Sequence, residues 1–207
     1  MENIIDFYSK YSFQYDQKIG TLDLYNDSYI DFVNFAKRKG NLLDLACGGG
    51  NVSAFIKKLM PSISITCVDL SLPMLEIAKE KLKNGNFYQS DILDIQIPIA
   101  KYDLIVCAFG LPYISNSDIY KFVSQIDKFA DKETVVYISC MQGDKTGFEN
   151  MSFANNDKVL VNYHTKVSII DNFKQFNFNL LKYKEQIFPE LDGSQTIDMI
   201  FNFSKSN

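Results

Sequence analysis

The stretch from Asn41 to Ser53 reads Asn-Leu-Leu-Asp-Leu-Ala-Cys-Gly-Gly-Gly-Asn-Val-Ser and predicts a strand, a tight turn and the start of a helix. Its leucines form the short apolar run of a parallel strand that is buried on both faces. The three consecutive glycines allow backbone angles that other residues resist. The free N–H groups of a helix that starts here can face a ligand. Helical spacing of apolar side chains follows at Val52, Phe55, Ile56 and Leu59.

A second predicted strand, from Ile63 to Val68, ends in the acidic residue Asp69. Asp69 follows Asp44 by 25 residues, which is close to the distance at which a nucleotide-binding unit places its ribose-binding acid. The glycine turn and this acid together predict a site for a cofactor that contains adenosine.

Two cofactors use this layout, and they differ in charge. A dinucleotide places a doubly charged pyrophosphate over the glycine turn, where the carboxylate of Asp44 would repel it. S-adenosylmethionine has no phosphate and carries a sulfonium and an α-ammonium, which an acid at this strand end stabilises. Ser53 also occupies the third glycine position of the dinucleotide fingerprint. The pattern therefore favours S-adenosylmethionine, and an NAD-dependent oxidoreductase is the weaker alternative.

This combination resembles the first two motifs of the class I S-adenosylmethionine-dependent methyltransferases, which correspond here to Asp44–Gly50 and Val68–Ser71. Ser90-Asp91-Ile92 is similar to the third motif of that family, which contacts adenine. The segment from Tyr102 to Phe109 resembles the fourth strand, which closes the cofactor site. The resemblance covers roughly residues 41 to 140 and is fainter elsewhere.

The resemblance implies an α/β fold with a doubly wound seven-stranded sheet, mostly parallel, that ends in an antiparallel C-terminal hairpin at its edge. Such a Rossmann-like methyltransferase fold would carry N-terminal cap helices and bind S-adenosylmethionine at the carboxyl ends of the strands. The cofactor-binding positions that it implies in this chain are Tyr15, Asp44, Ala46, Gly48, Gly50, Asp69, Leu70, Met74, Asp91, Ile92 and Phe109.

Each acidic position has an expected role under this resemblance. Asp44 would hold the α-ammonium directly or through water, Asp69 would accept from both ribose hydroxyls, and Asp91 would accept from the adenine amine. Leu70 and Phe109 would enclose the adenine ring between them. One position departs from the family, since Ala46 stands where glycine is most common. A methyl group is tolerated there only if the backbone is not left-handed.

Composition indicates a single globular domain, because the 207 residues are 46% hydrophobic and 22% charged. We expect residues 1–40 to form a helical cap and residues 41–141 the cofactor-binding core. Residues 142–164 are too rich in aromatic side chains for a simple linker and are predicted to be an insertion on the substrate side. Residues 165–207 would supply a helix and a β-hairpin, with Asp192-Gly193 at the hairpin turn.

Between these regions, apolar spacing predicts further elements. A helix over Leu22–Ala36 would end at Gly40, and Ser71 would cap a helix that continues to Lys83. The other predicted elements are strands over Asn86–Gln89, Asp103–Ala108 and Glu133–Met141, a helix over Ile119–Ala130, and hairpin strands over Leu180–Phe188 and Thr196–Phe203.

Charge and residue usage exclude several classes of partner. A net charge of −4 and a pI near 5.0 argue against a nucleic-acid substrate. No apolar run approaches the roughly 20 residues that span a bilayer, so we expect a cytoplasmic protein without a membrane partner. The four cysteines are scattered and the chain has one histidine, so no metal site is expected. A monomer or a homodimer that acts on a small-molecule methyl acceptor is the expected form.

The N-terminal residues from Tyr11 to Asp16 resemble a flap that closes over the cofactor in this family. Tyr11 or Tyr15 would then place an aromatic ring near the sulfonium through cation–π attraction. The alternative is an amphipathic helix whose aromatic residues only pack against the core.

Three residues are candidates for a catalytic role, without a firm assignment. His164 is the natural base, since it is the only histidine and titrates near neutral pH, but a lone imidazole is more often structural. Tyr113 and Tyr163 are the other two candidates. Gly110 lacks the side chain that would accept a hydrogen bond from an amine, which disfavours an adenine or amide methylase. A protein that binds S-adenosylmethionine for sensing or for other chemistry is the alternative function.

Overall fold

The computed structural model of the chain describes residues 2–19, 23–155, 157–189 and 195–206. Its helices are α1 (Glu2–Lys10), α2 (Ser12–Ile19), α3 (Asn26–Phe35), α4 (Asn51–Leu59), α5 (Leu72–Leu82), α6 (Ile119–Phe129) and α7 (Lys166–Gln175), with short 3₁₀ helices at Leu111–Tyr113 and Asn116–Asp118. Its strands are β1 (Asn41–Leu45), β2 (Ser64–Asp69), β3 (Asn86–Gln89), β4 (Tyr102–Ala108), β5 (Ala130–Met141), β6 (Thr146–Asn150), β7 (Lys158–Asn162), β8 (Phe178–Pro189) and β9 (Gln195–Lys205).

The central sheet has seven strands in the order β3-β2-β1-β4-β5-β9-β8. The first five strands in that order are parallel, and β9 and β8 join as an antiparallel pair at the edge. This arrangement confirms the fold class that the sequence predicts. β1 pairs with β2 on one side and with β4 on the other, so the chain reverses its direction of winding between them. Ligands of open α/β sheets bind at such a switch point.

The leucines of β1 explain why this strand lies at the centre of the sheet. Leu43 and Leu45 are fully buried on the face covered by α6 and α7, and Leu42 is fully buried on the face covered by α3 and α4. Because successive side chains of a strand point to opposite faces, both layers of helices contribute to burying this one strand. The carboxyl end of β1 is therefore held in place from both sides.

Two predicted helices differ in detail from the structure. The helix predicted over Leu22–Ala36 is observed as α3, whose last residue is Phe35, because Ala36 adopts extended backbone with ψ 127°. Leu22 lies outside the described residues. At the end of α4, Leu59 is 43% exposed and does not continue the apolar face that its spacing predicts.

The segment from residue 142 to residue 164 contains a second sheet that the sequence analysis did not predict. β6 and β7 pair in antiparallel fashion from Thr146–Asn162 to Asn150–Lys158. Val159 and Val161 of β7 pack against Phe7 of α1 and against Tyr11, which lies between α1 and α2. The asparagines and glycines of this segment are typical of loops, and the alternation over so few residues is a weak strand signal. Asn156 lies outside the described residues.

The C-terminal hairpin is present as predicted, with β8 and β9 paired along their length. Its predicted turn, Asp192-Gly193, lies outside the described residues. Across the part of the chain that the structure describes, no helix has the length and apolar character needed to cross a membrane.

Candidate active site

The glycine turn after β1 forms the floor of the site. Ala46, Gly48 and Gly50 have φ angles of +54°, +52° and +75°, so all three are left-handed. The backbone N–H of Cys47 donates to the carbonyl of Val68 at 3.0 Å, which fixes the turn against β2. The backbone at Ala46 is therefore left-handed, which is the case in which the sequence analysis did not expect a methyl group to be tolerated. Left-handed backbone angles at an alanine cost roughly 1–2 kcal/mol relative to glycine. The packing of the surrounding strands must offset this strain.

Gly50 has a packing role in this turn, and its assignment as a cofactor contact stays a prediction. A Cβ on Gly50 would lie 3.0 Å from Cβ of Ala78 and 3.2 Å from Cδ1 of Leu82, both on α5. Gly50 does not line the cavity described below. The residue is needed because α4 and α5 approach each other closely at this turn.

Changing Gly50 to alanine is expected to destabilise the fold by about 1–3 kcal/mol, since the added methyl meets α5 and the backbone is left-handed. Gly147→Ala is the matched control, because a Cβ there would contact nothing within 4 Å. The control is expected to change stability by no more than about 1 kcal/mol. Urea unfolding of both variants measures the difference, and equal midpoints would contradict this account of the turn.

Asp44 lies beneath the glycine turn and is only 1% exposed. Its Oδ2 accepts a hydrogen bond from Oγ of Ser53 at 2.6 Å. Burial raises the pKa of this carboxyl to about 7, and the hydroxyl of Ser53 partly opposes that rise. Asp44 does not line the cavity, and its expected role of holding an α-ammonium, directly or through water, stays a prediction.

Asp69 joins the glycine turn to the start of α5. Its Oδ2 accepts from the N–H of Gly48 at 2.8 Å, and its Oδ1 accepts from the N–H of Ser71 at 2.9 Å. Burial raises the pKa of Asp69, although these backbone donors favour the charged form. Each carboxylate oxygen has a second lone pair, so the side chain can still accept two hydrogen bonds from a ligand.

Asp91 lies just after β3, and together with Asp69 it forms the rim of the site. Its Oδ1 accepts from the N–H of Leu93 at 2.8 Å, and its Oδ2 has no hydrogen bond to a described residue. Directly after β4, Phe109 has a φ of +57°, and its N–H donates to the carbonyl of Ser139 at 3.0 Å. The carboxyl ends of β2, β3 and β4 therefore bring two carboxylates and an aromatic ring to one place.

Three tyrosines form the roof of the site. The hydroxyls of Tyr8 and Tyr113 share a hydrogen bond, and their rings meet edge to face with centroids 5.2 Å apart. Tyr15 packs against Tyr8 with centroids 5.5 Å apart and lies over Gly48. Burial raises the pKa of Tyr113 to about 12 and raises the pKa values of the other two well above their ordinary value. These hydroxyls therefore stay protonated at neutral pH.

Helix α2 is anchored directly over the glycine turn. Asp16 forms an ion pair with Lys81 of α5, and Nζ of Lys81 also donates to Oδ1 of Asn51 at 2.5 Å. Asp16 lies so close to Gly49 that its carboxylate would have to shift to admit a side chain at that position. The N-terminal helices thus close the site from above, as a flap would.

The floor, the rim and the roof enclose a cavity of about 150 Å³. The predicted cofactor residues that line it are Tyr15, Ala46, Gly48, Asp69, Leu70, Met74, Asp91, Ile92 and Phe109. The lining residues that the sequence analysis did not assign to the cofactor are Ile4, Ile5, Tyr8, Ser71, Ser90, Leu93, Ala108, Gly110, Tyr113 and Ile114. Ser71 and Ser90 belong to the second and third motifs, and that position in the sequence was the signal that could have identified them. Ile4, Ile5 and Tyr8 had no comparable signal.

Of the catalytic candidates, Tyr113 lines the cavity, whereas His164 and Tyr163 do not. His164 is fully buried, and its Nε2–H donates to the carbonyl of Leu111 at 2.8 Å while Nδ1 lies 2.8 Å from Oδ1 of Asn116. Burial lowers the pKa of His164. The imidazole therefore connects the 142–164 segment to the loop after β4 and is not placed to act as a base.

Tyr163 likewise points away from the cavity. Its hydroxyl donates to Oε1 of Glu149 at 3.3 Å, and Nζ of Lys145 lies 4.4 Å from the centre of its ring. Both contacts are made within the same segment.

The space at Gly110 and the possible metal ligands also bear on the chemistry of the site. A Cβ on Gly110 would lie 2.6 Å from Sγ of Cys107 and 2.9 Å from Cβ of Ala46, so no side chain fits there without a shift. Among the residues described, no three His, Cys, Asp or Glu side chains are grouped so that they could hold a metal ion.

A family model and several known proteins are similar in sequence to this chain. The family model described as "Methyltransferase domain" matches residues 42–133. The chain is 30% identical to malonyl-[acyl-carrier protein] O-methyltransferase 1 of Ilyobacter polytropus, over 77% of this chain and 60% of that protein. It is 39% identical to a demethylmenaquinone methyltransferase of Thermotoga maritima, over 36% of this chain and 33% of that protein. The chain thus covers less than two thirds of the length of these relatives.

Solved structures share the fold over nearly the whole chain. An S-adenosylmethionine-dependent methyltransferase from Clostridium acetobutylicum has a TM-score of 0.72 at 18% identity and covers 97% of this chain and 100% of its own. Magnesium protoporphyrin IX methyltransferase from Synechocystis has a TM-score of 0.71 at 14% identity, with 98% of each chain covered.

Proposed function

Because the chain belongs to the class I S-adenosylmethionine-dependent methyltransferases, we propose that it transfers a methyl group from S-adenosylmethionine to a small or medium-sized acceptor. The observation that carries this proposal is the convergence of Gly48, Asp69 and Asp91 on one enclosed cavity at the switch point of the sheet. The relatives act on acceptors of different chemistry, as their names state, so the acceptor must be argued from this site.

The residues present fit S-adenosylmethionine. Asp69 has lone pairs left for two ribose hydroxyls, and the unpartnered Oδ2 of Asp91 is available for the adenine amine. A Cβ on Gly48 would lie 3.5 Å from Cε1 of Tyr15, so the ring lies directly over a turn whose backbone a ligand in the cavity can approach. Asp44 supports the turn from below through Ser53. The wall contains no Lys, Arg or His among the described residues, so a pyrophosphate would meet carboxylates without a counter-charge.

S-adenosylmethionine supplies a methyl group that its sulfonium activates for in-line displacement. The protein aligns the acceptor with that methyl group and excludes water, since positioning provides much of the acceleration in such a reaction. Helices α1 and α2 close the cavity, and the rings of Tyr8 and Tyr15 are placed to surround the reacting end.

Transfer of an isotopically labelled methyl group tests this function. With a small-molecule cell extract as the source of acceptors, we expect labelled product and an equal amount of S-adenosylhomocysteine. If the protein binds S-adenosylmethionine and forms no labelled product from such extracts, a sensing role replaces the proposed one.

A further inference from the structure

Once Asp69 and Asp91 bind the cofactor, the described residues of the cavity wall include no side chain that is free to take a proton from an acceptor at neutral pH. Its only side chains with ionisable or hydroxyl groups, among the described residues, are Asp69, Asp91, Ser71, Ser90 and the three roof tyrosines Tyr8, Tyr15 and Tyr113. The two carboxylates are already assigned to the cofactor in the proposed function. An alcohol must lose a proton as it is methylated, and an ammonium must lose one before it can attack, and the described residues of the wall offer no free base for either.

The serine hydroxyls are already engaged in local structure. Oγ of Ser71 accepts from the N–H of Met74 at 3.4 Å and lies 3.2 Å from Oγ of Ser9. Oγ of Ser90 accepts from the N–H of Gln96 at 2.8 Å and donates to the carbonyl of Asp94 at 3.2 Å. The tyrosines are therefore the hydroxyl donors left for a ligand.

The roof tyrosines have hydroxyl protons that no hydrogen bond to a described residue uses. Tyr8 and Tyr113 share one hydrogen bond between two hydroxyls, so one of their two protons can be donated into the cavity. The hydroxyl of Tyr15 has no hydrogen bond to any described residue, and Tyr15 lines the cavity. The roof thus presents hydrogen-bond donors without positive charge, which suits an acceptor atom that carries lone pairs and no proton.

We propose that the methyl acceptor is a carboxylic acid, bound as its carboxylate by the roof hydroxyls and released as a methyl ester. This inference rests on the proposed function. A carboxylate is fully ionised at neutral pH, so it needs no base. Its oxygen forms the new O–CH₃ bond with a lone pair, the C–S bond breaks with its electron pair going to sulfur, and no proton moves. Hydrogen bonds from neutral hydroxyls orient the carboxylate without neutralising it.

Charge and shape are consistent with this class of acceptor. The sulfonium is the positive charge that the carboxylate meets in the cavity, and the transfer removes both charges. Ile4 and Ile5 of α1 and Ile114 after β4 also line the cavity, so an acid with an apolar body fits better than a polar one.

Alkali stability of the product tests the proposal without knowledge of the acceptor. After transfer of labelled methyl groups to small molecules of a cell extract, mild alkali releases labelled methanol from methyl esters, whereas methyl groups on nitrogen, sulfur, carbon or ether oxygen stay bound. We expect most of the transferred label to appear as methanol. Label that resists alkali would overturn the carboxylate assignment and leave methyl transfer intact. Absence of any transfer would instead contradict the proposed function.

Tyr113→Phe tests the role of the roof hydroxyls. With the acid that yields the alkali-labile product, kcat/KM is expected to fall about tenfold or more, because a hydrogen bond to a charged group is lost. Titration of that acid into the complex with S-adenosylhomocysteine should show weaker binding, while the affinity for S-adenosylhomocysteine itself stays the same. Tyr120→Phe is the matched control, since Tyr120 is 53% exposed on α6 and outside the cavity. Equal kcat/KM and acid affinity in both variants would overturn the assignment of the donors.

Discussion

Replacing Asp69 by alanine is expected to weaken the binding of S-adenosylhomocysteine by roughly 10- to 150-fold, which corresponds to about 1.5–3 kcal/mol. The carboxylate has two oxygens that can each accept a charge-assisted hydrogen bond from a ribose hydroxyl. It also holds the N–H groups of Gly48 and Ser71, so its removal loosens the floor of the site. Calorimetric titration of S-adenosylhomocysteine into the variant measures the loss.

The control for this change is Asp94→Ala, since Asp94 is an exposed aspartate near the same edge of the sheet that does not line the cavity. The affinity of the control should equal that of the unchanged protein. Thermal unfolding of both variants without ligand separates loss of the fold from loss of binding. If Asp69→Ala folds and binds S-adenosylhomocysteine as tightly as the control, the assignment of Asp69 is wrong.

Replacing Asp44 by asparagine is expected to change how stability depends on pH. Burial raises the folded-state pKa of Asp44 from 3.8 to about 7. Between these values the folded state holds a proton that the unfolded state releases, so stability falls as pH rises from about 4 to 7 and then levels off. Asparagine does not titrate. From pH 5 to pH 8 the unchanged protein should therefore lose about 2–3 kcal/mol more stability than the variant.

Urea unfolding of both proteins at pH 5 and at pH 8 measures this difference, and any constant cost of the buried amide cancels in it. The exposed Asp94→Asn variant serves as the control and should follow the unchanged protein at both pH values. Parallel stability changes in Asp44→Asn and the unchanged protein would show that Asp44 is not a buried carboxyl of raised pKa.

The sequence was sufficient to predict the fold because its signals are local. The leucines of β1, the three glycines and Asp69 lie within 28 residues, and each determines its own strand end or turn. At the site, Asp69 was predicted from its spacing after Asp44, and Asp91 from the resemblance of Ser90-Asp91-Ile92 to the third motif of the family. Two of their backbone partners, Ser71 for Asp69 and Leu93 for Asp91, are each two residues away in sequence.

The remaining site residues depend on contacts between distant parts of the chain. Tyr8 reaches Tyr113 across 105 residues, and His164 reaches Leu111 across 53 residues, so neither pairing has a periodicity that a sequence shows. The position of Asp44 below the turn, bonded to Ser53, was missed for a different reason. Ser53 was interpreted as a missing glycine, whereas its hydroxyl is the partner of the buried carboxyl.

The central claim, that this cavity binds S-adenosylmethionine, is tested most directly by thermal unfolding with S-adenosylmethionine, S-adenosylhomocysteine and NAD in parallel, after removal of any cofactor carried through purification. At 100 times the dissociation constant, a ligand stabilises the folded state by about 2.7 kcal/mol, or roughly 5–10 °C for a chain of this size. We expect this shift with the two adenosyl ligands and none with NAD. A shift with NAD alone would contradict the account of the cavity and the function derived from it.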